Sequence, residues 1–129
     1  MANSHKGTAV VTGASSGIGA IYADRLAKQG YNLILVARNV EKLQALAFRI
    51  TDTTGSVVET IQADLADKAD LRRVEEVLRT DASITMLVNN AGVGATAPLL
   101  ASEVDEMEAM IALNATAPMR LAYAAAPGF

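Results

Sequence analysis

The sequence contains no cysteine, a single histidine and no long apolar run. Without cysteine, a disulfide framework, a thiolate metal site and a cysteine nucleophile are all excluded. The histidine, His5, lies in the N-terminal tail, where a solvated side chain is favoured over a metal ligand. No apolar run approaches the ~20 residues that a membrane-spanning helix requires, and no apolar targeting core precedes the first strand pattern. These absences predict a cytoplasmic protein with no metal site and no membrane partner.

The charge is mildly acidic and evenly spread along the chain. Fourteen acidic and eleven basic residues give a formal net charge of −3 at pH 7. An interspersed, net negative surface argues against a nucleic-acid partner. Aromatic residues make up only 4% of the 129 residues, whereas apolar residues make up 51%, which is sufficient for the core of one ordinary domain. We therefore expect a single domain over residues 1–129, without linkers or repeats.

Strand and helix patterns alternate along the whole chain. Short apolar segments predict four strands, at Thr8–Thr12, 31–37, 56–63 and Ile84–Val88. The second strand is apolar at consecutive positions, which is typical of a parallel sheet covered on both faces. The third strand is less apolar and is expected nearer an edge. Strand–helix alternation with short loops predicts an α/β fold, a doubly wound parallel sheet of about four strands flanked by helices.

The helices are predicted from their caps and their apolar periodicity. They are expected at residues 18–28, from 40 to a break at 51–55, after Asp67, after Ser102, and at about 116–126. Asn39, Asp67 and Ser102 are the expected N-caps. The apolar positions predicted to face inward are Ile18, Tyr22 and Leu26; Val40, Leu43, Ala47 and Ile50; Leu71, Val74 and Leu78; and Val104, Met107 and Ile111.

A glycine-rich turn follows the first strand, and a helical pattern begins inside it. Residues 13–19 read Gly-Ala-Ser-Ser-Gly-Ile-Gly. The first backbone N–H groups of a helix lack intrahelical partners and carry the positive end of the helix dipole, so an anion is stabilised there. Glycine also lets a ligand approach the bare backbone. The turn alone is equally compatible with a tight connection that binds nothing.

Ligands of doubly wound sheets lie at the carboxyl ends of the strands. Four stretches are expected to meet there, one after each predicted strand: residues 13–19, 37–39, 64–65 and 89–92. Their convergence favours a nucleotide site over an empty turn.

These stretches together resemble the short-chain dehydrogenase/reductase family. The resemblance rests on Thr12 to Gly19, on Asp64-Leu65, on Asn89-Asn90-Ala91-Gly92 and on Asn114, and it covers essentially the whole chain. It implies a Rossmann-type sheet that binds NAD or NADP. It also implies hydride transfer between the cofactor and a small-molecule carbonyl or alcohol substrate. For the full-length form it implies a homo-oligomer, either a dimer or a tetramer.

The resemblance also implies a role for individual residues. The cofactor pyrophosphate and the adjoining ribose are expected at the turn residues Gly13, Ser15, Ser16, Gly17, Ile18 and Gly19. Adenosine contacts are expected from Asp64, Leu65, Asn90, Ala91 and Gly92. Asn114 matches the asparagine of the family's proton relay. For Asp64 taken alone, a solvated carboxylate is favoured, and its position after the third strand shifts the interpretation to the site. Asn114 could also be a helix cap.

The end of the second strand favours NADP(H) over NAD(H). NAD-binding proteins usually place an acid there to hold the ribose hydroxyls. Here the chain reads Val36-Ala37-Arg38-Asn39, without an acid. The guanidinium of Arg38 offers a charged fork that suits the 2′-phosphate of NADP(H). The alternative is that Arg38 is an ordinary surface residue.

The residues that carry the family's proton transfer are missing. The family uses a tyrosine followed four residues later by a lysine, together with a serine after a fifth strand. None of Tyr22, Tyr31 and Tyr123 is followed by that lysine. The resemblance therefore covers the N-terminal, cofactor-binding half, and the 129 residues alone are expected to be inactive. A truncated, non-catalytic NADP(H)-binding or regulatory module is the alternative.

Overall fold

A four-stranded parallel sheet forms the centre of the computed structural model, which describes residues 6–15, 17–91 and 103–129. The strands are β1 (Thr8–Thr12), β2 (Asn32–Ala37), β3 (Val58–Gln62) and β4 (Ile84–Val88). They pair in the order β3-β2-β1-β4, and every pairing is parallel. The predicted doubly wound sheet is confirmed. Within the described residues the third strand lies at an edge, as expected from its composition, and β4 forms the other edge.

Helices cover both faces of the sheet. They are α1 (Gly17–Lys28), α2 (Val40–Thr54), α3 (Lys68–Thr80), α4 (Val104–Ile111) and α5 (Ala117–Ala125). Ala9 and Val11 of β1 pack with buried residues of α1 and α2. Val10, which points to the opposite face, packs with buried residues of α3 and α5. Successive strand residues thus supply two separate cores, which explains the continuous apolar runs of β1 and β2.

The buried face of α1 differs from the predicted one. Leu26 is buried as expected, but Ile18 is 63% exposed and Tyr22 is 48% exposed. The helix instead buries Gly19 and Ala23, together with Ala27. Gly19 belongs to this face because α1 lies very close to the preceding turn, where a Cβ at that position would meet the Gly13 carbonyl oxygen. The apolar pattern of α1 was therefore a poor guide to its packing.

The predicted course of α2 also needs correction. Leu43 and Ile50 are buried, but Val40 is 37% exposed, Ala47 is half-buried, and Leu46 takes the inward position. The helix does not break at residues 51–55. The hydroxyl of Thr54 donates to the Ile50 carbonyl at 2.7 Å within the last turn, and the helix ends only at Gly55, which has φ +75°.

Two of the predicted caps are confirmed. Oδ1 of Asn39 accepts the Lys42 N–H at 3.0 Å, and Oδ2 of Asp67 accepts the Asp70 N–H at 3.0 Å. The third predicted cap, Ser102, lies outside the described residues. In the structure, Glu103 precedes α4 in extended conformation and makes no side-chain cap bond.

The last two predicted helices are joined without a break. A π-helical turn, Ala112–Thr116, connects α4 directly to α5, and a 3₁₀ turn, Ala126–Gly128, follows. The predicted inward positions on α4 were wrong, since Val104 and Ile111 are 73% and 60% exposed and Met107 is half-buried. No residue of α4 is buried by the described part of the chain.

An ion pair joins the helices that cover one face of the sheet. Arg120 of α5 donates from Nε to Oε2 of Glu75 at 2.7 Å and from Nη2 to Oε1 at 3.0 Å. Glu75, on α3, is only 4% exposed. The hydrogen bonds and charge of this carboxylate raise the pKa of Arg120. The two-pronged contact fixes the orientation of α5 on α3.

Among the described helices, none has the length and hydrophobicity needed to cross a bilayer.

Candidate functional site

An open cavity of about 600 Å³ lies at the carboxyl ends of the strands. It is bordered by the turn after β1, the end of β2 with the start of α2, and the segments after β3 and β4. Of the predicted site residues, the structure places six in its lining: Gly13, Ser15, Arg38, Leu65, Asn90 and Ala91. The four stretches that were expected to converge do meet at one edge of the sheet.

The other predicted residues lie around this cavity or outside the described chain. Gly17, Ile18 and Gly19 form the first turn of α1. Asp64 lines a second, smaller hollow, and Asn114 lies in the π-helical turn with its side chain exposed. Ser16 and Gly92 lie outside the described residues.

The interpretation of Asn114 as a helix cap was wrong. The residue sits in the middle of the π-helical turn, with helical backbone on both sides. The preceding residue, Leu113, lines the cavity. A single π-helical turn inside a longer helix is frequently found at functional sites.

Two glycines of the turn, Gly13 and Gly19, are packed too closely for any side chain. Gly13 has φ +64°, and a Cβ built there would lie 2.8 Å from Cα of Ala91. A Cβ on Gly19 would lie 2.1 Å from the carbonyl oxygen of Gly13. Gly17 has φ +55°, a conformation that side chains disfavour. The start of α1 is thereby held directly against the turn, with its first N–H groups at the edge of the sheet.

Thr12, which the sequence did not single out as a site residue, holds the segment after β4 against the end of β1. Its buried hydroxyl accepts the N–H of Asn90 at 3.0 Å and the N–H of Ala91 at 3.1 Å. The hydroxyl also lies within 3.4 Å of the Val88 carbonyl, to which it donates. The Asn90 amide donates to the Gly13 carbonyl at 3.4 Å. Two walls of the cavity are thus tied together by one side chain.

The end of β2 is held in place by the neighbouring strand. Nε2 of Gln62, at the end of β3, donates to the backbone carbonyl of Arg38 at 3.2 Å. Lys42 of α2 lines the same cavity as Arg38. Among the described lining residues these two are cationic and none is a carboxylate, although the protein as a whole carries −3. The cavity is therefore a positive region of a negative protein.

A smaller hollow of about 320 Å³ adjoins the cavity through Arg38. Its wall contains Asp64 and Asp70. Oδ1 of Asp64 accepts the Ala66 N–H at 3.0 Å, and Oδ2 of Asp70 accepts the Asp64 N–H at 2.9 Å. This backbone bond, with a hydrogen bond from Arg73, lowers the pKa of Asp70. The segment after β3 is thus shaped by the hydrogen bonds of two aspartate side chains. Within the described residues, no cluster of acidic or histidine side chains forms a metal site.

The sequence contained weak signals for the residues that were missed. Thr12 could have been found as a polar residue at the end of a buried strand. Lys42 has no distinguishing signal, because a lysine in a helix is usually solvated. Leu113 lies in the π-helical turn, and nothing in the sequence marks it as a lining residue.

Known proteins resemble this chain over nearly its whole length. A family model described as short chain dehydrogenase matches residues 7–129. A very-long-chain 3-oxoacyl-CoA reductase from Coccidioides immitis (strain RS) is 35% identical over 125 residues, which cover 93% of this chain and 36% of the relative.

Two solved structures share the fold at higher identity. A short-chain dehydrogenase from Sphingobium yanoikuyae in complex with NADPH has a TM-score of 0.92 and 50% identity, covering 94% of this chain and 47% of that one. The bulky-bulky ketone specific alcohol dehydrogenase from Comamonas testosteroni has a TM-score of 0.92 and 45% identity, covering 94% and 49%. The chain spans about half the length of these proteins, or less.

Substitution of Thr12 tests the tie between β1 and the segment after β4. In Thr12→Val the shape is kept but the N–H groups of Asn90 and Ala91 lose their acceptor. We expect the free energy of unfolding to fall by about 1–3 kcal/mol. Thr12→Ser keeps the hydroxyl and is the matched control, with a smaller loss. Urea denaturation followed by circular dichroism measures both, and equal losses would contradict the role of the hydroxyl.

Substitution of Gly19 tests the close approach of α1 to the turn. In Gly19→Ala the added methyl meets the backbone oxygen of Gly13, so helix and turn must separate. We expect a loss of about 1–3 kcal/mol in the free energy of unfolding. The control is Gly128→Ala, because a Cβ at Gly128 meets no atom within 4 Å and its φ is not positive. Thermal unfolding compares the two, and an unchanged midpoint for Gly19→Ala would refute the contact.

Proposed function

The chain belongs to the short-chain dehydrogenase family, and on that basis we propose that it binds NADP(H) for an oxidoreductase acting on a carbonyl or alcohol substrate. The cofactor supplies the hydride that such a reaction transfers. The observation that carries the proposal is the cavity at the strand ends, where a glycine turn and two cations meet without a carboxylate in the described lining.

The glycine-rich turn is proposed as the seat of the cofactor pyrophosphate. Gly13 and Gly19 leave no room for a Cβ, so the backbone itself forms the surface of the turn. The N–H groups at the start of α1, including that of Ile18, have no intrahelical acceptor and favour an anion. Ser15 lines the cavity beside them. We include Ser16 in this seat from its place in the sequence.

The adenosine moiety is proposed to lie between the segments after β3 and β4. Leu65, Asn90 and Ala91 line the cavity there. Asp64 borders the adjoining hollow, where its backbone and carboxylate are fixed by hydrogen bonds. Gly92 is included because it follows Ala91 directly.

Arg38 is the proposed determinant of NADP(H) preference over NAD(H). A guanidinium can donate two parallel hydrogen bonds to a phosphate, which NADP(H) carries on its ribose and NAD(H) does not. Support comes from the position of Arg38 in the cavity wall and from the bond that Gln62 makes to its carbonyl. The relative from Sphingobium yanoikuyae, 50% identical, was solved with NADPH.

Asn114 is the one residue of this chain that we propose takes part in proton transfer. Its place in the π-helical turn, next to a cavity-lining residue, supports a part in holding the relay. The 129 residues contain no tyrosine followed four residues later by lysine. We therefore expect these residues by themselves to bind the cofactor without catalysing the transfer.

The assembly proposed for the whole protein is a homo-oligomer. Its support is the set of exposed apolar side chains along α4 and α5, which include Val104, Ile111, Met119 and Tyr123. A non-catalytic binding module is not favoured, because the matched relatives are reductases and dehydrogenases.

Substitution of Arg38 tests the cofactor preference. Arg38→Leu removes the phosphate-binding fork, and we expect NADPH binding to weaken by about 10- to 100-fold while NADH binding stays nearly unchanged. Titration of nicotinamide fluorescence measures both affinities. Arg49→Leu is the control, because Arg49 is an exposed arginine of α2 that does not line the cavity. An unaltered protein that binds NADH as tightly as NADPH would overturn the proposal.

A further inference from the structure

Lys42 carries its charge at a place where helix stability disfavours it. It is the third residue of α2, and its N–H is bound to the side chain of the cap Asn39 at 3.0 Å. Cations near a helix N-terminus oppose the helix dipole, whereas an acid such as the neighbouring Glu41 is favoured there. The stability of α2 therefore gives no reason for a lysine at this position. This position does not by itself indicate a function, because Lys68 also lies in the first turn of its helix, α3. Lys42 is distinguished by its place in the cavity wall.

No acid within the described residues neutralises this charge by an ion pair. Some cations of the chain are paired, among them Lys28 with Asp24 at 2.9 Å, Arg73 with Asp70 at 3.1 Å and Arg120 with Glu75 at 2.7 Å, whereas others, such as Lys68, are not paired within the described part of the chain. Lys42 forms no such pair there, and Glu41 does not line the cavity. The lysine thus faces a space whose other described charged wall residue is Arg38.

A phosphate monoester on a ribose carries a charge of about −1.5 to −2 at neutral pH. One guanidinium leaves part of that charge without a counter-charge. A second cation at the same cavity wall supplies it, and the ammonium of a lysine approaches a phosphate from many directions because its stem is flexible. The N-terminus of α2, which follows Arg38 and Asn39 directly, adds to the same positive region.

Resting on the NADP(H) function proposed above, we propose that Lys42 is a second specificity-determining cation, which binds the 2′-phosphate together with Arg38. The two residues lie four positions apart, on either side of the start of α2, and share one cavity wall. The pair discriminates the phosphorylated from the unphosphorylated ribose more strongly than Arg38 alone.

The test uses two probes that differ only in the 2′-phosphate: adenosine 2′,5′-bisphosphate and adenosine 5′-monophosphate. Isothermal titration calorimetry measures the affinity of the protein for each, independently of catalysis. In Lys42→Met we expect the bisphosphate to bind about threefold to tenfold more weakly, with the monophosphate unchanged. Lys42→Arg keeps the charge and is expected to retain most of the affinity.

Lys68→Met is the matched control. Lys68 is also an exposed lysine in the first turn of a helix capped by an aspartate, but it lines neither the cavity nor the adjoining hollow. We expect it to leave both affinities unchanged. An equal effect of Lys42→Met and Lys68→Met on the bisphosphate would show a general loss of positive charge and would overturn the assignment of Lys42.

The two proposals fail in different ways. If the unaltered protein binds the bisphosphate no better than the monophosphate, the NADP(H) function itself is wrong. If the unaltered protein prefers the bisphosphate and Lys42→Met keeps that preference, the function stands and the role of Lys42 is refuted. A loss of affinity for both probes in Lys42→Met also refutes it, because the effect is then not specific to the 2′-phosphate.

Discussion

The contact between Gly19 and the carbonyl oxygen of Gly13 is the constraint on which the site depends. A Cβ at Gly19 would lie 2.1 Å from that oxygen, so only glycine lets α1 begin directly on the turn after β1. This closeness places the first N–H groups of α1 at the sheet edge, where an anion is stabilised. The same closeness accounts for the burial of Gly19 on α1. Thr12 extends the constraint across the sheet by holding the segment after β4.

Charge distribution adds selectivity to this backbone frame. The protein carries −3 overall, yet the described cavity wall contains two cations and no carboxylate. The acids near the site accept other hydrogen bonds. Asp70 accepts from the Asp64 N–H and from Arg73, and Asp64 accepts from the Ala66 N–H. These two carboxylates line the adjoining hollow and are not part of the described cavity wall. Gln62 holds the Arg38 carbonyl and so couples the edge strand to the same wall.

Local signals predicted the sheet, its parallel pairing and the caps Asn39 and Asp67, because strand hydrophobicity and capping chemistry act over a few residues. The predicted inward face of α1 was wrong. Hydrophobicity did not indicate that α1 packs against the glycine-rich turn through Gly19. The π-helical turn was missed because no residue type marks it, and Asn114 was therefore read as a possible cap. The convergence of the four loops was predictable from topology. The position of Lys42 in the cavity wall was not predictable, because only the structure shows that it shares this wall with Arg38.

We propose that the turn after β1 and the start of α2 bind one dinucleotide. Amide chemical shifts of the protein, followed by NMR during titration with NADPH, test it most directly. We expect the largest changes in two groups, at Gly17 and Gly19 of the first turn of α1 and at Arg38 to Lys42. Changes should also appear at Asn90, and the outer face of α2 around Phe48 should stay unchanged. Unaltered amides at Gly17 and Gly19 in the presence of bound NADPH would contradict the account.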